Sequence, residues 1–487
     1  MERRYDMAVI GAGLSGLCCA YILLKEGYSV CVIEKQGHPG GAFQSFHRGD
    51  LRLDTGFHYA GGVGEGEMMR PFISYFGMEN LPWVRMDDNC FEEVYVRGRK
   101  FTFRNGFDNF RNDLVKEFPE DISGIDSFMD VLRHLEQSID EALDPSWNVT
   151  GSRLFSTSAY EFLNSNIKSP LLRDVLCGGS ATTELTEDLP LYSFAQSLAS
   201  FIQGSYRIDG GGQKIIDSLA ESVRSMGGEI FTGMKADRLI LSGTRCAEAV
   251  ECDGETFRAE KFISTIHPAL TVGLIPDTPA VRGIYRKRIR GLANSAGMFT
   301  VHLQLRPGRI PYCGKIAVIH EKEDLWHHSP EHSGQVGELL VNFNVPQDGG
   351  KSVLNIDLLT PMSWDEVSRW DGTAPGNRPD DYILFKEETA RRCIDLAERY
   401  VPQLKGNIER FWTSTPLTYR DWTGTVEGSA FGVRKSSRNL MGTMLPAITP
   451  LENLYISGQN LNLHGMLGTM ITAFKTCSAA CGKAIRP

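Results

Sequence analysis

The 487-residue chain has no CxxC pair, no excess of positive charge and no long apolar run, and each lack removes a class of protein. Its eleven cysteines are scattered and odd in number, so a disulfide framework, a zinc ribbon and a thioredoxin-like redox pair have no support. Cys477 and Cys481, four apart as neighbours on one helix face would be, read as buried small hydrophobes. Lysine and arginine number 51 against 60 Asp and Glu, a net charge of −9, which gives no footing for a binder of nucleic-acid backbones. Nowhere do eighteen apolar residues run without glycine or charge, and Met1–Asp6 opens into a strand rather than a signal-peptide core. The expectation is a soluble, cytoplasmic chain. His320, His327, His328 and His332 fall close together, but at no metal-ligand spacing, so a solvated loop and no metal site are expected.

What is present is core material and glycine. With 25 Phe, 15 Tyr and 7 Trp in a 41% hydrophobic chain, a large core is assured and general disorder is excluded. The length implies two or three folding units at roughly 150 residues each. The 50 glycines cluster. Met7–Ile10 is a short buried-strand run. It leads into Gly11-Ala12-Gly13-Leu14-Ser15-Gly16, a helical stretch ending at Gly27, and a second strand, Tyr28–Ile33, closed by Glu34. Gly11 suits the tight turn, Gly13 a close approach of backbone to pyrophosphate, and Gly16 close packing of helix on strand. The helix start offers free N–H groups to phosphates, and Glu34, eighteen residues past Gly16, is placed for ribose hydroxyls. Strand before, helix after and acid at that distance make this a dinucleotide-binding unit.

Further along, Ala42–Phe46 reads as an alternating strand and Asp54–Gly62 as a loop able to approach a cofactor. Met68–Phe76 reads as a helix, Phe91–Phe103 as a hairpin around Arg97-Gly98, and 150–205 as a helical region rich in Phe, Leu and Tyr. After Tyr206–Gly212 comes an amphipathic helix. A meander of four strands follows (Glu229–Thr232, Ala236–Leu241, Cys246–Cys252, Thr256–Ala259), then a separate apolar run, Phe262–Ile266, ending at His267-Pro268. Residues 295–435 alternate strands (Met298–Leu305, Lys315–Ile319, Glu338–Asn344, Val353–Leu359) with one strong helix, Asp381–Tyr400. Near the end, Leu454–Asn460 is a strand and turn, and Gly465–Ile471 opens a small-residue helix.

The fingerprint followed by Gly40-Gly41 resembles the N-terminal signature of flavoproteins with a glutathione-reductase-like FAD domain. Together with Tyr206–Gly212, Ser264–Pro268, Ser414–Thr418 and the Gly458-Gln459…Gly465…Gly468 segment, the chain resembles the phytoene desaturase and retinol saturase family of FAD oxidoreductases. The last two segments look most like the all-trans-retinol 13,14-reductase branch. Much of the wider family has an acidic residue where Gln459 stands, and an amide still makes that hydrogen bond.

The resemblance implies an α/β fold: a discontinuous FAD-binding Rossmann domain (1–65, 206–290 and 436–487), a helical insert and lid (66–205), and a substrate-binding mixed sheet (291–435). It implies FAD on Gly11, Gly13, Leu14, Ser15, Gly16, Glu34, Lys35, Gly40, Gly41, Ala42, His58, Gly458, Gln459, Gly465, Met466 and Leu467. His464 and His58 are the ionisable residues nearest the expected flavin. They are candidates for proton transfer, with simple packing against flavin or loop as the alternative. The chemistry implied is reduction of a C=C bond in a hydrophobic polyene or isoprenoid lipid. Desaturation, redox-neutral isomerisation and a lipid-binding protein with structural FAD are the rivals. With no second G-x-G-x-x-G in a βαβ unit, the electron donor is left between NADPH acting directly on the flavin and a partner protein. A lipid substrate would also imply peripheral contact with the inner face of a membrane.

Overall fold

A computed structural model describes residues 3–144, 152–178, 183–322, 325–326, 336–347 and 349–487. Short β-branched runs between glycine turns build the first sheet. Its order is Glu229–Phe231, Val30–Ile33, Arg3–Ile10, Glu255–Ser264, Cys246–Cys252, Ala236–Ser242, with Leu454–Ile456 also paired to Glu255–Ser264. Arg3–Ile10 runs parallel to both its neighbours, and Met7–Ile10 and Val30–Ile33, buried throughout, read as continuous apolar runs.

Two readings of this region change. Thr256–Ala259 and Phe262–Ile266 are one ten-residue strand, Glu255–Ser264, whose first half pairs with Cys246–Cys252 and whose second half pairs with Leu454–Ile456. A single strand serving two neighbours on one edge changes its burial pattern midway, which splits it in the sequence. Glu229–Phe231 is also no part of the meander, but the parallel partner of Val30–Ile33.

Helix Leu14–Lys25 lies between this sheet and the C-terminal helix Gly465–Cys481, and every residue from Leu14 to Ala20 is buried. Ser15 Oγ donates to Ser457 Oγ at 3.0 Å, and the Cys477 thiol reaches the Cys19 carbonyl at 3.7 Å. No cysteine is bonded to another.

The second sheet has the order Ile408–Ser414, Gly297–Leu305, Asn355–Met362, Glu338–Phe343, Ile316–His320, Glu92–Val96, Arg99–Phe103. The hairpin expected at 91–103 is present, but it joins this sheet, through a parallel pairing with Ile316–His320, rather than the helical region around it. One face packs on the long helix Asp380–Tyr400 through Leu358, Val341 and Leu396. The other turns toward the helices of 107–203 through Leu340, Leu359 and Val318.

Two further readings are corrected. Ala42–Phe46 is a 3-10 turn, Gly41–Phe43, before a strand, Ser45–Arg48, because Gly41 takes a positive φ of 57° that ends extended structure. His320 is not in a solvated loop: it ends strand Ile316–His320, 4% exposed, with Nε2 3.3 Å from the Gly178 carbonyl. His327, His328 and His332 lie outside the described residues.

Candidate functional site

Two adjoining spaces occupy the seam between the sheets. The first is a groove of about 410 Å³ along the carboxyl ends of the parallel strands, where open α/β sheets take their ligands. Gly11, with φ of 99°, turns the chain out of the first strand. A Cβ on Gly16 would collide with the Gly11 carbonyl oxygen, so only glycine lets the helix start so close to the strand. Gly13 forms a parallel bridge to Gly40, and a Cβ there would touch Gly41 at 3.7 Å. The backbones of Gly11, Gly13 and Gly41 therefore pave one side of the groove. No side chain caps the helix that begins at Leu14, so its first N–H groups and dipole are presented to an anion.

Glu34, buried, accepts from the amides of Ala12 and Gln36, both at 2.8 Å. That pairing fixes its carboxylate at the end of strand Val30–Ile33 and leaves further acceptor positions on each oxygen. Lys35 stands beside it. Burial pulls its pKa down, against the opposing pull of Glu34 and Asp421.

The second space is a cavity of about 240 Å³ walled by the loop 55–61, the helix Leu191–Gln203, the second sheet and the start of the C-terminal helix. Its walls include Phe57, Leu340, Leu359, Phe201 and Met298. The two spaces share Ala42, Phe43, Thr423, Thr425, Gln459 and Thr469, so groove and cavity adjoin.

Of the residues expected to hold the dinucleotide, Gly11, Gly13, Leu14, Ser15, Glu34, Lys35, Gly41 and Gly458 line the groove, and Ala42 and Gln459 line both spaces. His58, Gly465, Met466 and Leu467 line the cavity. Gly16 and Gly40 line neither; they set backbone approaches behind the groove. His464 is in the cavity wall as the residue before the C-terminal helix, its ring 5.0 Å from that of Phe431.

Several lining residues carry no sequence motif. The Thr265 hydroxyl donates to the carbonyls of Ile10 and Gly11, at 2.9 and 3.2 Å, and ties the glycine turn to the neighbouring strand. Trp422–Thr425 closes the groove from the second sheet's side, held by Gln36 and Gln44 side chains that donate to the Trp422 carbonyl. Beneath the cavity floor lie groups that only the fold assembles. Arg207 is 2% exposed; its Nη2 donates to the Lys315 carbonyl, while Nε and Nη1 have no partner. Glu92 is fully buried with both oxygens unpartnered, and burial pushes its carboxyl well above the ordinary value. Asp54 is raised to about 6, chiefly by burial, against a hydrogen bond from Ser45. Among the described residues no group of three His, Cys, Asp or Glu could hold a metal ion, and no helix is long and apolar enough to cross a membrane.

Residues 9–76 match the NAD(P)-binding Rossmann-like domain. All-trans-retinol 13,14-reductase of Macaca fascicularis is 22% identical over 99% of this chain and 86% of its own length. The 4,4'-diapolycopen-4-al dehydrogenase of Metabacillus indicus is 24% identical over 97% and 96%, and the chloroplastic prolycopene isomerase of Arabidopsis thaliana 23% over 94% and 79%. Among solved structures, an oxidoreductase from Methanosarcina mazei superposes with a TM-score of 0.63 at 18% identity, covering 96% of this chain and 98% of that one. Cyclohexylamine oxidase from Brevibacterium oxydans gives 0.59 at 16%, covering 98% and 99%. These relatives match the phytoene desaturase and retinol saturase-like family over nearly the whole chain, and the solved structures share the chain's fold, built on a Rossmann domain.

Proposed function

We propose that this chain, matched to the phytoene desaturase and retinol saturase-like family, is an FAD-dependent oxidoreductase acting on C=C and C–C bonds of a hydrophobic polyene or isoprenoid lipid, in the saturating direction. The observation that carries the reading is that a glycine-paved groove adjoins an apolar cavity. The first suits a dinucleotide and the second a lipid chain. FAD, when bound, supplies hydride exchange with a carbon of the substrate. In this reading the backbone of Gly11–Gly16 and the start of helix Leu14–Lys25 hold the diphosphate, and Glu34 holds the adenosine ribose. Gln459 contacts the ribityl chain through its amide, and the N-terminus of Gly465–Cys481 favours negative charge at the cavity end of the cofactor. The cavity walls exclude water from the reacting carbons, and His464 and His58 are the ring nitrogens within the walls that could hold or pass a proton. The electron donor is NADPH or a partner protein, and a lipid substrate favours peripheral contact with a membrane.

The test is anaerobic. FAD-loaded protein is reduced, mixed with all-trans-retinol or another conjugated polyene, and followed by flavin absorbance and product mass. Flavin reoxidation with a gain of two hydrogens by the lipid supports the saturase. Reoxidised enzyme that instead removes two hydrogens from the saturated lipid establishes the desaturase, and a change of geometry at constant mass establishes the isomerase. Binding without any of these leaves a lipid-binding protein with structural FAD.

A further inference from the structure

The cavity-facing side of the second sheet carries two rows of residues set by strand register. One runs Thr300, Leu359, Leu340, Val318, Val94, apolar after its first member. The next runs His302, Asp357, Asn342, Ile316, Glu92, polar at four of five places and at most 1% exposed throughout. A polar row laid across a buried sheet face is costly unless its hydrogen bonds are satisfied, and their directions can be deduced in sequence.

His302 Nδ1 is 2.6 Å from Asp357 Oδ1. Burial alone would raise Asp357, but the charge and hydrogen bond of His302, with His58 and Asn344, outweigh it and hold the carboxyl below its ordinary value. It is a carboxylate and only accepts. Asn344 Nδ2 donates to its other oxygen at 2.8 Å, which turns the Asn344 carbonyl toward Asn342. That carbonyl accepts from Asn342 Nδ2 at 2.7 Å, so Asn342 presents its NH2 on this side. The second hydrogen of that NH2 is directed to His58 Nδ1, 3.5 Å away. A ring nitrogen that accepts carries no hydrogen, so in the neutral ring the hydrogen sits on Nε2.

We propose that Asp357, Asn344 and Asn342 act as positioning residues that fix His58 in the cavity wall as a neutral imidazole with its hydrogen on Nε2, and that this N–H receives the oxygen of a substrate bearing a hydroxyl or carbonyl on an otherwise apolar chain. This rests on the cavity being the lipid site. The surroundings agree with a neutral ring. Burial is the main influence and pulls the His58 pKa down to about 4. His302 and Arg207 act in the same sense, and Asp357 alone opposes them. Asp54 lines the same small void of about 20 Å³ behind His58, with Arg207 and Asn344.

The test reads the ring directly. In protein labelled with 15N-histidine, with His58→Gln to assign the resonance, His58 is expected to show an Nε2–H tautomer that stays neutral from pH 8 to pH 5. A hydrogen on Nδ1, or titration near the ordinary histidine value, overturns the proposal whether or not any polyene is turned over. Asn342→Asp is expected to reverse the tautomer, since a carboxylate accepts from Nδ1, and Asn342→Leu, which keeps the volume without a new charge, to give a mixture. An unchanged tautomer in Asn342→Leu also overturns it. Adding all-trans-retinol should shift the Nε2–H resonance, while the same polyene lacking its hydroxyl should not. Asn342→Leu should weaken retinol binding about tenfold, the effect of one hydrogen bond, and leave the hydrocarbon unaffected. Equal responses to the two ligands overturn the donor role. Failure of turnover with the tautomer confirmed would count against the proposed reaction alone.

Discussion

The groove and the cavity adjoin and share six wall residues, yet the chain builds them from different materials. The groove is largely a backbone surface: glycines bring main chain against main chain, and a helix start with no side-chain cap adds its N–H groups to the charges of Glu34 and Lys35. The cavity is a side-chain surface. The loop 55–61, the helices Leu191–Gln203 and Gly465–Cys481 and three sheet strands line it, and its polarity comes from side chains such as Gln196, Ser200, Glu338 and Gln459 and the rings of His58 and His464. A backbone surface tolerates almost no change at a few positions. A side-chain surface spreads its requirements and can be retuned one residue at a time. The two should therefore fail separately.

The largest expected effect is in the groove. Gly16→Val places a branched side chain against the Gly11 carbonyl and the Thr265 hydroxyl, where backbone must shift. It should destabilise by about 3 kcal/mol and lower retained flavin more than about tenfold, read as the flavin-to-protein absorbance ratio and the urea midpoint. Normal flavin content would break the distinction drawn above.

Asp357→Ala comes next, because it leaves His302 buried without its partner at 2.6 Å. A loss of about 1 to 3 kcal/mol is expected, with flavin content of the folded fraction unchanged. The Asp357 carboxyl lies below its unfolded value, so its contribution is present above that value, about pH 4, and fades as pH falls through the folded one. Wild type and variant should converge in urea titrations at low pH. Leu340→Trp fills the cavity from the sheet side. Polyene affinity should drop more than about tenfold at a cost of about 1 to 2 kcal/mol in stability, with flavin retained. Loss of both ligands together would show one space rather than two.

Asp54→Asn should have the smallest effect and the opposite sign. With its pKa raised to about 6, Asp54 makes the folded state bind more protons than the unfolded one between about pH 4 and 6, so wild-type stability falls across that window. The amide removes that slope. The variant should gain on wild type, on the order of 1 kcal/mol, as pH rises from 4 to 7 in thermal unfolding.

The same contrast explains what could be read before the fold was seen. A turn that only glycine can make, a strand before it, a helix after it and an acid at fixed distance leave a linear trace, so Gly11, Gly13, Gly16 and Glu34 stand out in the first 34 residues. His302, Asp357, Asn342 and Glu92 leave none. They lie on four different strands, and register across 265 residues makes them a row. Glu255–Ser264 misled for a related reason: two partners on one edge make one strand look like two. The one trace available was the inward phase of those polar residues, Asn342 two positions from Leu340 and Asp357 two from Leu359, which alternation places on the same face.

Helix Leu14–Lys25 is sealed by a segment met 442 residues later, where Ser15 bonds Ser457. A ribosome adding about 5 to 20 residues per second needs on the order of 20 to 90 s to cover that distance. Throughout that interval the first βαβ unit has emerged with its fingerprint complete but without the C-terminal helix that it packs against. One wall of the groove, Gly458-Gln459, does not yet exist. Under the proposed function, cofactor capture is thus a late event of biogenesis, set by the arrival of the chain's last segment.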